Sequence, residues 1–281
     1  MQLGSTPFEL NISVAGMPTR LDFYGLAVEK QALLQDWYSA FLAQADQGGD
    51  LTVHIEVWVE PGDLFIPFKP GPWLVRTWKH GERVEFVSHQ EKGWFDLIEK
   101  RGELVLRPEG NPENYLRVVY AWRCLAGDAL LVHASGVIRN GCGHVFFGPS
   151  GSGKTTLARL SPDAIILSDD MVILQREEAK GSVAVRVYGV PFRGEMIEAG
   201  RTNASALLVG LYTLVKDTAH WLADVDRIEA TARLTACVPF VMSQAENAQR
   251  TLALCEEITR LVRVTALHFQ RDAGFWQVID G

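Results

Sequence analysis

Eight consecutive residues, Gly148-Pro149-Ser150-Gly151-Ser152-Gly153-Lys154-Thr155, satisfy the pattern G-x-x-x-x-G-K-[ST] at every position. The chemistry behind that spacing is anion capture. Gly151 and Gly153 let the chain curl until successive backbone N–H groups point inward at phosphate oxygens. Lys154 is placed to reach the β- and γ-phosphates, and Thr155 to offer its hydroxyl to Mg²⁺. Gly148, Ser150, Gly151, Ser152, Gly153, Lys154, Thr155 and Thr156 are therefore the expected nucleotide-binding residues, with ATP and Mg²⁺ as the expected ligands. An apolar strand before the loop (143–147) and a short helix after it (156–160) supply the context that the motif requires.

Only that helix and Ser161-Pro162-Asp163 separate the loop from the apolar run 164–167, which ends in Ser168-Asp169-Asp170. A carboxylate at the C-terminal end of a strand is the second element of a nucleotide site, serving the metal. Adjacent strand residues point to opposite faces, so Asp169 and Asp170 cannot share one task. One belongs with the metal, and the other with the proton of an attacking hydroxyl, within hydrogen-bond reach. Two acids at the nucleotide suit transfer to an alcohol better than simple hydrolysis.

His133 joins them through strand arithmetic. Asn140-Gly141, between the strand-like runs 131–139 and 143–147, is the strongest hairpin signal in the chain. A two-residue turn there pairs Arg139 with Cys142, Val137 with His144, and His133 with Gly148, the first loop glycine. A four-residue turn would shift that partner to Ser150, still in the loop. Either register sets His133 beside the phosphates, able to donate to the γ-phosphate or move a proton. His144, one strand across, reads as a core or solvent-facing residue.

The elements that must hold these groups are set by the rest of the 281 residues. With 47% hydrophobic and 22% charged residues the composition is that of a globular protein. The length suits two domains, and the predicted boundary divides 1–125 from 126–281. The first part is β-rich. Strands are expected at 10–14, 20–24, 51–59, 73–78, 83–87 and 103–106, and a helix at 31–44 with Leu33, Leu34, Trp37, Phe41 and Leu42 at helical spacing. A second helix starts at Pro112-Glu113-Asn114 and runs to about residue 125, with Tyr115, Val118, Val119 and Trp122 on one face. In the second part, strands are expected at 165–167, 183–188, 206–215 and 263–269, and amphipathic helices at 224–236 and 245–261.

A net charge of −7 with no Lys/Arg-rich run argues against nucleic acid as a partner. The longest apolar run, 206–215, is too short for a membrane span, and residues 1–5 lack the basic and apolar regions of a signal peptide. The expectation is a soluble, cytoplasmic protein. Cys124, Cys142, Cys237 and Cys255 show no metal-site spacing and read as reduced, mostly buried thiols.

Taken in order, Val132-His133-Ala134 on a strand, the loop 148–155 and Ser168-Asp169-Asp170 resemble the catalytic domain of the HPr kinase/phosphorylase superfamily. The likeness covers about residues 125–281. The tail Leu267-His268-Phe269-Gln270-Arg271-Asp272-Ala273-Gly274-Phe275-Trp276 looks like the end of the group that includes lasso-peptide kinases, which also carry a β-rich N-terminal domain. The resemblance implies an α/β fold: a P-loop kinase domain of the HPr kinase/PEP carboxykinase type with a mixed sheet, preceded by a smaller β-rich α+β domain. It implies that His133 contacts the transferred phosphoryl group, that Lys154 neutralises it and that Asp169 is the base. Asp170 and Thr155 would serve Mg²⁺, although the two aspartates are interchangeable on this evidence. In the segment 188–195, Arg193 would offset transition-state charge and Glu195 would support the metal. That segment departs from the glutamate- and glycine-bearing stretch of a true HPr kinase, so phosphorylase activity and recognition of HPr are left open.

Three functions are thereby in play. The first is an ATP- and Mg²⁺-dependent kinase acting on a serine of a protein or peptide. The second is a kinase for a small hydroxylated metabolite, and the third a regulatory nucleotide-binding module. Two roles are open to the N-terminal domain, substrate docking and homo-oligomer formation. Exposure of Trp73 or Trp78 would favour a contact surface.

Overall fold

The structure is a computed structural model that describes residues 6–43, 52–70, 74–179, 181–196, 198 and 201–281. It is a mixed α/β protein with two mixed sheets. The chain divides into two compact units, Met1–Arg123 and Cys124–Gly281.

In the first unit the strands are β1 (Phe8–Val14), β2 (Met17–Tyr24), β3 (Val53–Val59), β4 (Arg76–His80), β5 (Arg83–Val87), β6 (Glu91–Asp96) and β7 (Arg101–Leu106). Helix α1 (Val28–Trp37) follows β2, and α2 (Glu113–Ala126) follows β7. The sheet order is β1-β2-β3-β7-β6-β5-β4, with parallel pairs at β2–β3 and β3–β7. Alternate residues such as Leu10, Ile12, Leu21, Phe23, Ile55, Val57 and Leu104 are fully buried, the period-two pattern of a sheet with one covered face.

Two expectations need correction here, and one strand was not expected. The helix expected at 31–44 stops at Trp37 and gives way to a short 3-10 turn over Ser39–Phe41. Leu42 is drawn into a bridge with Ile12, and the Ala43 N–H bonds Asn11 O at 3.0 Å, so tertiary pairing overrides the helical pattern. Leu34 and Phe41 are buried, whereas Leu33 and Leu42 are exposed. The strand expected at 73–78 lies at Arg76–His80; Trp73 falls outside the described residues, and Trp78 is 47% exposed. Strand β6 was hidden from a hydropathy reading by Glu91, Lys92 and Asp96.

Glu91 explains its own place in that strand. Fully buried, it accepts from Ser88 Oγ (2.6 Å), Asn114 Nδ2 (2.9 Å) and the Tyr115 N–H (3.2 Å), so it caps the first turn of α2. Burial pushes its carboxyl up to about 7 against the pull of those hydrogen bonds.

The second unit contains β8 (Ala129–Val132), β9 (Ala134–Arg139), β10 (Cys142–Phe147), α3 (Lys154–Arg159), β11 (Ile165–Ser168), β12 (Val172–Ala179), β13 (Ser182–Tyr188) and β14 (Ser205–Lys216). It continues through β15 (Trp221–Asp224), α4 (Arg227–Thr235), α5 (Ala245–Leu261), β16 (Val264–Phe269) and α6 (Phe275–Asp280). The sheet runs β11-β9-β10-β14-β13-β12-β8, and β16, which also pairs β15, branches from β14. Strands β10, β14 and β16 are mutually parallel, so their C-terminal ends gather on one side. In open α/β sheets that side is where ligands bind.

One core cluster is built from Val137, Phe146, Leu157, Tyr212, Leu267, Phe269, Phe275 and Trp276. Trp276 also donates its indole N–H to Ser161 Oγ at 3.0 Å. His144 is buried in the same region, stacked on Tyr212 and edge-on to Trp276, and burial lowers its pKa: it is a core histidine. The expected strand 131–139 is two strands, broken at His133. The helix expected from Asp224 starts at Arg227, because Trp221–Asp224 pairs with β16 and Asp226 caps the helix through the Ile228 and Glu229 N–H groups. Strand β12, with Gln175, Arg176, Glu177 and Glu178 in its second half, escaped the sequence pattern. Among the described residues no helix is long and apolar enough to cross a membrane.

Two outcomes follow from these packings. Because the folded pKa of Glu91 lies above its unfolded value, its stability contribution is complete below the ordinary carboxylate range and is lost as pH rises through about 7. The melting temperature of the first unit's transition should fall between about pH 5 and pH 8, and Glu91→Gln should flatten that slope. Trp276→Ala should cost about 3–5 kcal/mol in urea unfolding, the usual loss for a buried aromatic.

Candidate active site

The Asn140-Gly141 turn has both residues at positive φ (52° and 77°), the two-residue hairpin geometry. The register is the one that arithmetic gives: Arg139 opposite Cys142, Val137 opposite His144, and Ala134 opposite Phe147. The ladder ends there. The His133 N–H turns out of the sheet to Cys237 O at 2.7 Å, which separates β8 from β9. His133 thus sits at a joint level with Gly148, with its imidazole 43% exposed and Nε2 3.2 Å from Asp170 Oδ1.

Beyond Ser168 the chain bends. Ser168 Oγ accepts from the Asp170 N–H (3.2 Å) and the Met171 N–H (3.1 Å), an arrangement that serine favours at turns. The two aspartates diverge as expected, but through this bend and not through strand alternation. Asp169 is buried, and its Oδ2 accepts from the Glu195 N–H (2.9 Å) and the Met196 N–H (3.1 Å). Gly194 completes that contact, since a Cβ there would overlap the carboxylate. Asp169 therefore holds the 194–196 turn, while Asp170 faces His133.

The glycine-rich loop leaves β10 and returns as α3. Gly151 (φ 75°) adopts the left-handed conformation that glycine tolerates. At Gly153 (φ 115°) a Cβ would also meet Phe269 Cζ at 2.7 Å. Lys154 is 7% exposed and donates to Gly148 O (3.0 Å) and Pro149 O (3.2 Å). Burial lowers the pKa of its ammonium, and Cys237, Asp170 and Glu195 pull it back up. Both Asp170 and Glu195 are thus electrostatic neighbours of Lys154. Ser152 Oγ is buried in the loop without a hydrogen-bond partner among the described residues. Thr155 lies beside Lys154, and Thr156 lines a recess at the other end of the loop. Among the described residues no cluster of three or more His, Cys, Asp and Glu forms a self-sufficient metal site.

A cavity of 670 Å³ opens beside the loop, bounded by His133, Phe147, Gly148, Pro149, Ser150, Thr213, Leu214, Val215, Arg233, Ala236 and Cys237. Arg233 and Cys237 were not legible as site residues. They lie on and just after α4, whose spacing reads only as an amphipathic helix. The Gly148 N–H bonds the Cys237 thiol, whose pKa is raised chiefly by burial. A second recess of 440 Å³ is lined by Gly153, Thr156, Lys216, Asp217, Phe269, Gln270 and Arg271. Arg193 is exposed and lines neither space; it borders a small crevice with Ser168, Asp169 and Arg201.

No protein-family model matches the chain, and no curated protein matches it by sequence. Among solved structures, the Hpr(Ser) kinase/phosphatase from Coxiella burnetii is similar over 53% of this chain and 90% of its own, with 9% identity and a TM-score of 0.28. A TM-score that low identifies no family, and the chemistry has to be read from the geometry of the site itself.

Gly194→Ala should cost about 2 kcal/mol by crowding a packed contact and should release the Glu195 and Met196 amides to fast hydrogen exchange. Unchanged protection of those amides would show that Asp169 does not hold the turn.

Proposed function

We propose that this chain is an ATP- and Mg²⁺-dependent kinase that transfers the γ-phosphoryl group to a serine hydroxyl of a protein or peptide. One observation carries the reading. Three stretches far apart in sequence bring an imidazole, an ammonium and a carboxylate (His133, Lys154 and Asp170) to the mouth of one glycine-rich loop. A regulatory nucleotide holder needs neither the imidazole nor the acid.

In this reading the N–H groups from Gly148 to Thr156 cradle the phosphate chain, and the unpartnered Ser152 hydroxyl gains an acceptor from it. Lys154, drawn out of water, gains more from a phosphate anion than an exposed lysine would. The acceptor oxygen bonds to the γ-phosphorus as the bond from that phosphorus to the ADP oxygen breaks. The hydroxyl proton passes to Asp170, which His133 orients from 3.2 Å; His133 also faces the transferring group. Asp169 acts at one remove by fixing the turn that carries Glu195. These are the roles of the two aspartates exchanged relative to what the family resemblance implies. Mg²⁺ would be held by Thr155 and Glu195 together with the phosphates, because this ion needs only one or two protein oxygens when phosphates complete its shell. When bound it neutralises charge on the phosphate oxygens. Arg193 faces another crevice and is given no part in transfer.

A second reading, transfer to a small hydroxylated metabolite, is favoured by the cavity beside His133, since 670 Å³ is the size that encloses a small ligand. Labelling a cell extract with γ-labelled ATP and identifying the labelled species separates the two. Exposed Trp78 supports a contact role, docking or self-association, for the first unit.

Asp170→Asn should leave ATP affinity within a few-fold by calorimetry and lower phosphoryl transfer by about 10²–10⁴. Lys154→Ala should weaken both binding and transfer. Undiminished transfer by Asp170→Asn would overturn its assignment as base.

A further inference from the structure

We infer that the 670 Å³ cavity is the acceptor chamber, and that it selects a hydroxyl carried beside an anionic group, which Arg233 receives. This rests on the kinase reading for the word acceptor. The anion preference itself rests on the cavity alone.

The position of the base decides which of the two spaces at the loop takes the acceptor. An acceptor hydroxyl has to come within hydrogen-bond reach of the His133–Asp170 pair, and of these two spaces it is the larger that His133 lines. The smaller recess opens past Thr156 at the other end of the loop and is left for the nucleoside.

The walls then describe the occupant. Phe147, Leu214, Val215 and Ala236 give apolar surface for a carbon skeleton. Thr213 is 2% exposed, and its Oγ1 has no hydrogen-bond partner among the described residues. A buried hydroxyl left unpaired costs free energy, so a ligand that bonds it is favoured. Arg233 stands at the rim, steadied by Glu229 one turn earlier on α4. Among the described residues no aspartate or glutamate belongs to the wall itself; Asp170 reaches it through His133, at 3.2 Å, and Glu229 through Arg233. Apolar walls, one orphan hydroxyl and a guanidinium that shares its charge with Glu229 alone among the ion pairs of the described residues suit a carboxylate- or phosphate-bearing alcohol.

Cys237, in the cavity wall, provides a reporter that does not depend on catalysis. The full-length protein is alkylated with iodoacetate or with iodoacetamide, and the rates at Cys237 and Cys142 are compared by peptide mass spectrometry. The ratio of the two reagents cancels the thiol's own reactivity. Iodoacetate should be favoured at Cys237 by about fivefold relative to Cys142, the effect of one partly exposed charge. Arg233→Gln should abolish the preference, and Glu229→Gln, which frees the guanidinium, should raise it. An absent preference overturns the inference, as does one that survives Arg233→Gln and disappears only in Lys154→Ala.

The source of the anion is resolved in the same assay with Mg·ATP present, scoring protection of Cys237 from iodoacetamide. Protection by glycerate but not glycerol marks a small hydroxy acid. Protection by Asp-Ser-Asp but not Ala-Ser-Ala marks an acidic peptide. Equal protection by the neutral members overturns the anion requirement, and protection by none of the four overturns the acceptor assignment. Calorimetry with ATP on the same sample tests the kinase reading separately: failure to bind ATP with the iodoacetate preference intact would sink that reading and leave the anion chamber standing.

Discussion

The site depends on one backbone hydrogen bond, from the His133 N–H to the carbonyl oxygen of Cys237 at 2.7 Å. It removes one residue from the sheet ladder. Without it β8 and β9 would be a single strand, and His133 would be one more side chain alternating into a packed face. With it the chain changes partners, from β12 on one side of the joint to β10 and β11 on the other. The imidazole is set free at the change-over, level with the start of the glycine-rich loop. The same cysteine accepts the Gly148 N–H on its sulfur, so one residue after α4 ties both the histidine and the loop. A buried N–H must find a partner; here that requirement fixes the histidine in place.

What could be read from the sequence was whatever the chain decides locally. The glycine pattern, the Asn140-Gly141 turn and the pairing numbers it dictates are short-range facts, and the ladder follows those numbers as far as Ala134 opposite Phe147. The helix over Ala245–Leu261 was legible for the same reason, a sustained apolar stripe. The remainder was hidden by tertiary choices. Nothing near His133 announces that its N–H will be claimed from beyond α4. Glu91 and its charged neighbours disguise β6, although the burial of Glu91 is what caps α2. Leu42 looks helical until Ile12 supplies a strand partner. Arg233 and Cys237 belong to the cavity only because α4 delivers them there.

The aspartate pair shows how a correct conclusion can rest on the wrong geometry. Opposite directions were expected from strand alternation, yet both residues follow the strand, and the Ser168 hydroxyl directs the bend. The distinction matters for their chemistry. Asp169 has backbone donors fixed on one oxygen and little exposure, the environment of an architectural carboxylate. Asp170 lies between an imidazole and an ammonium, where a charge change is felt by both neighbours. Division of labour between identical side chains thus follows from what each one is hydrogen-bonded to.

The branching at β14 has a consequence for how this unit assembles. That strand must find β13 with its first residues, β10 with its middle and β16 with its last. The β9–β10 hairpin closes a tiny loop and can form early, but β14 and β16 have to search across long intervening segments. Loop-closure entropy makes such parallel, sequence-distant pairings the slow events of folding. The C-terminal ends of β10, β14 and β16 would therefore be the last part of the unit to mature during biosynthesis, with the apolar length of β14 exposed to aggregation until they do.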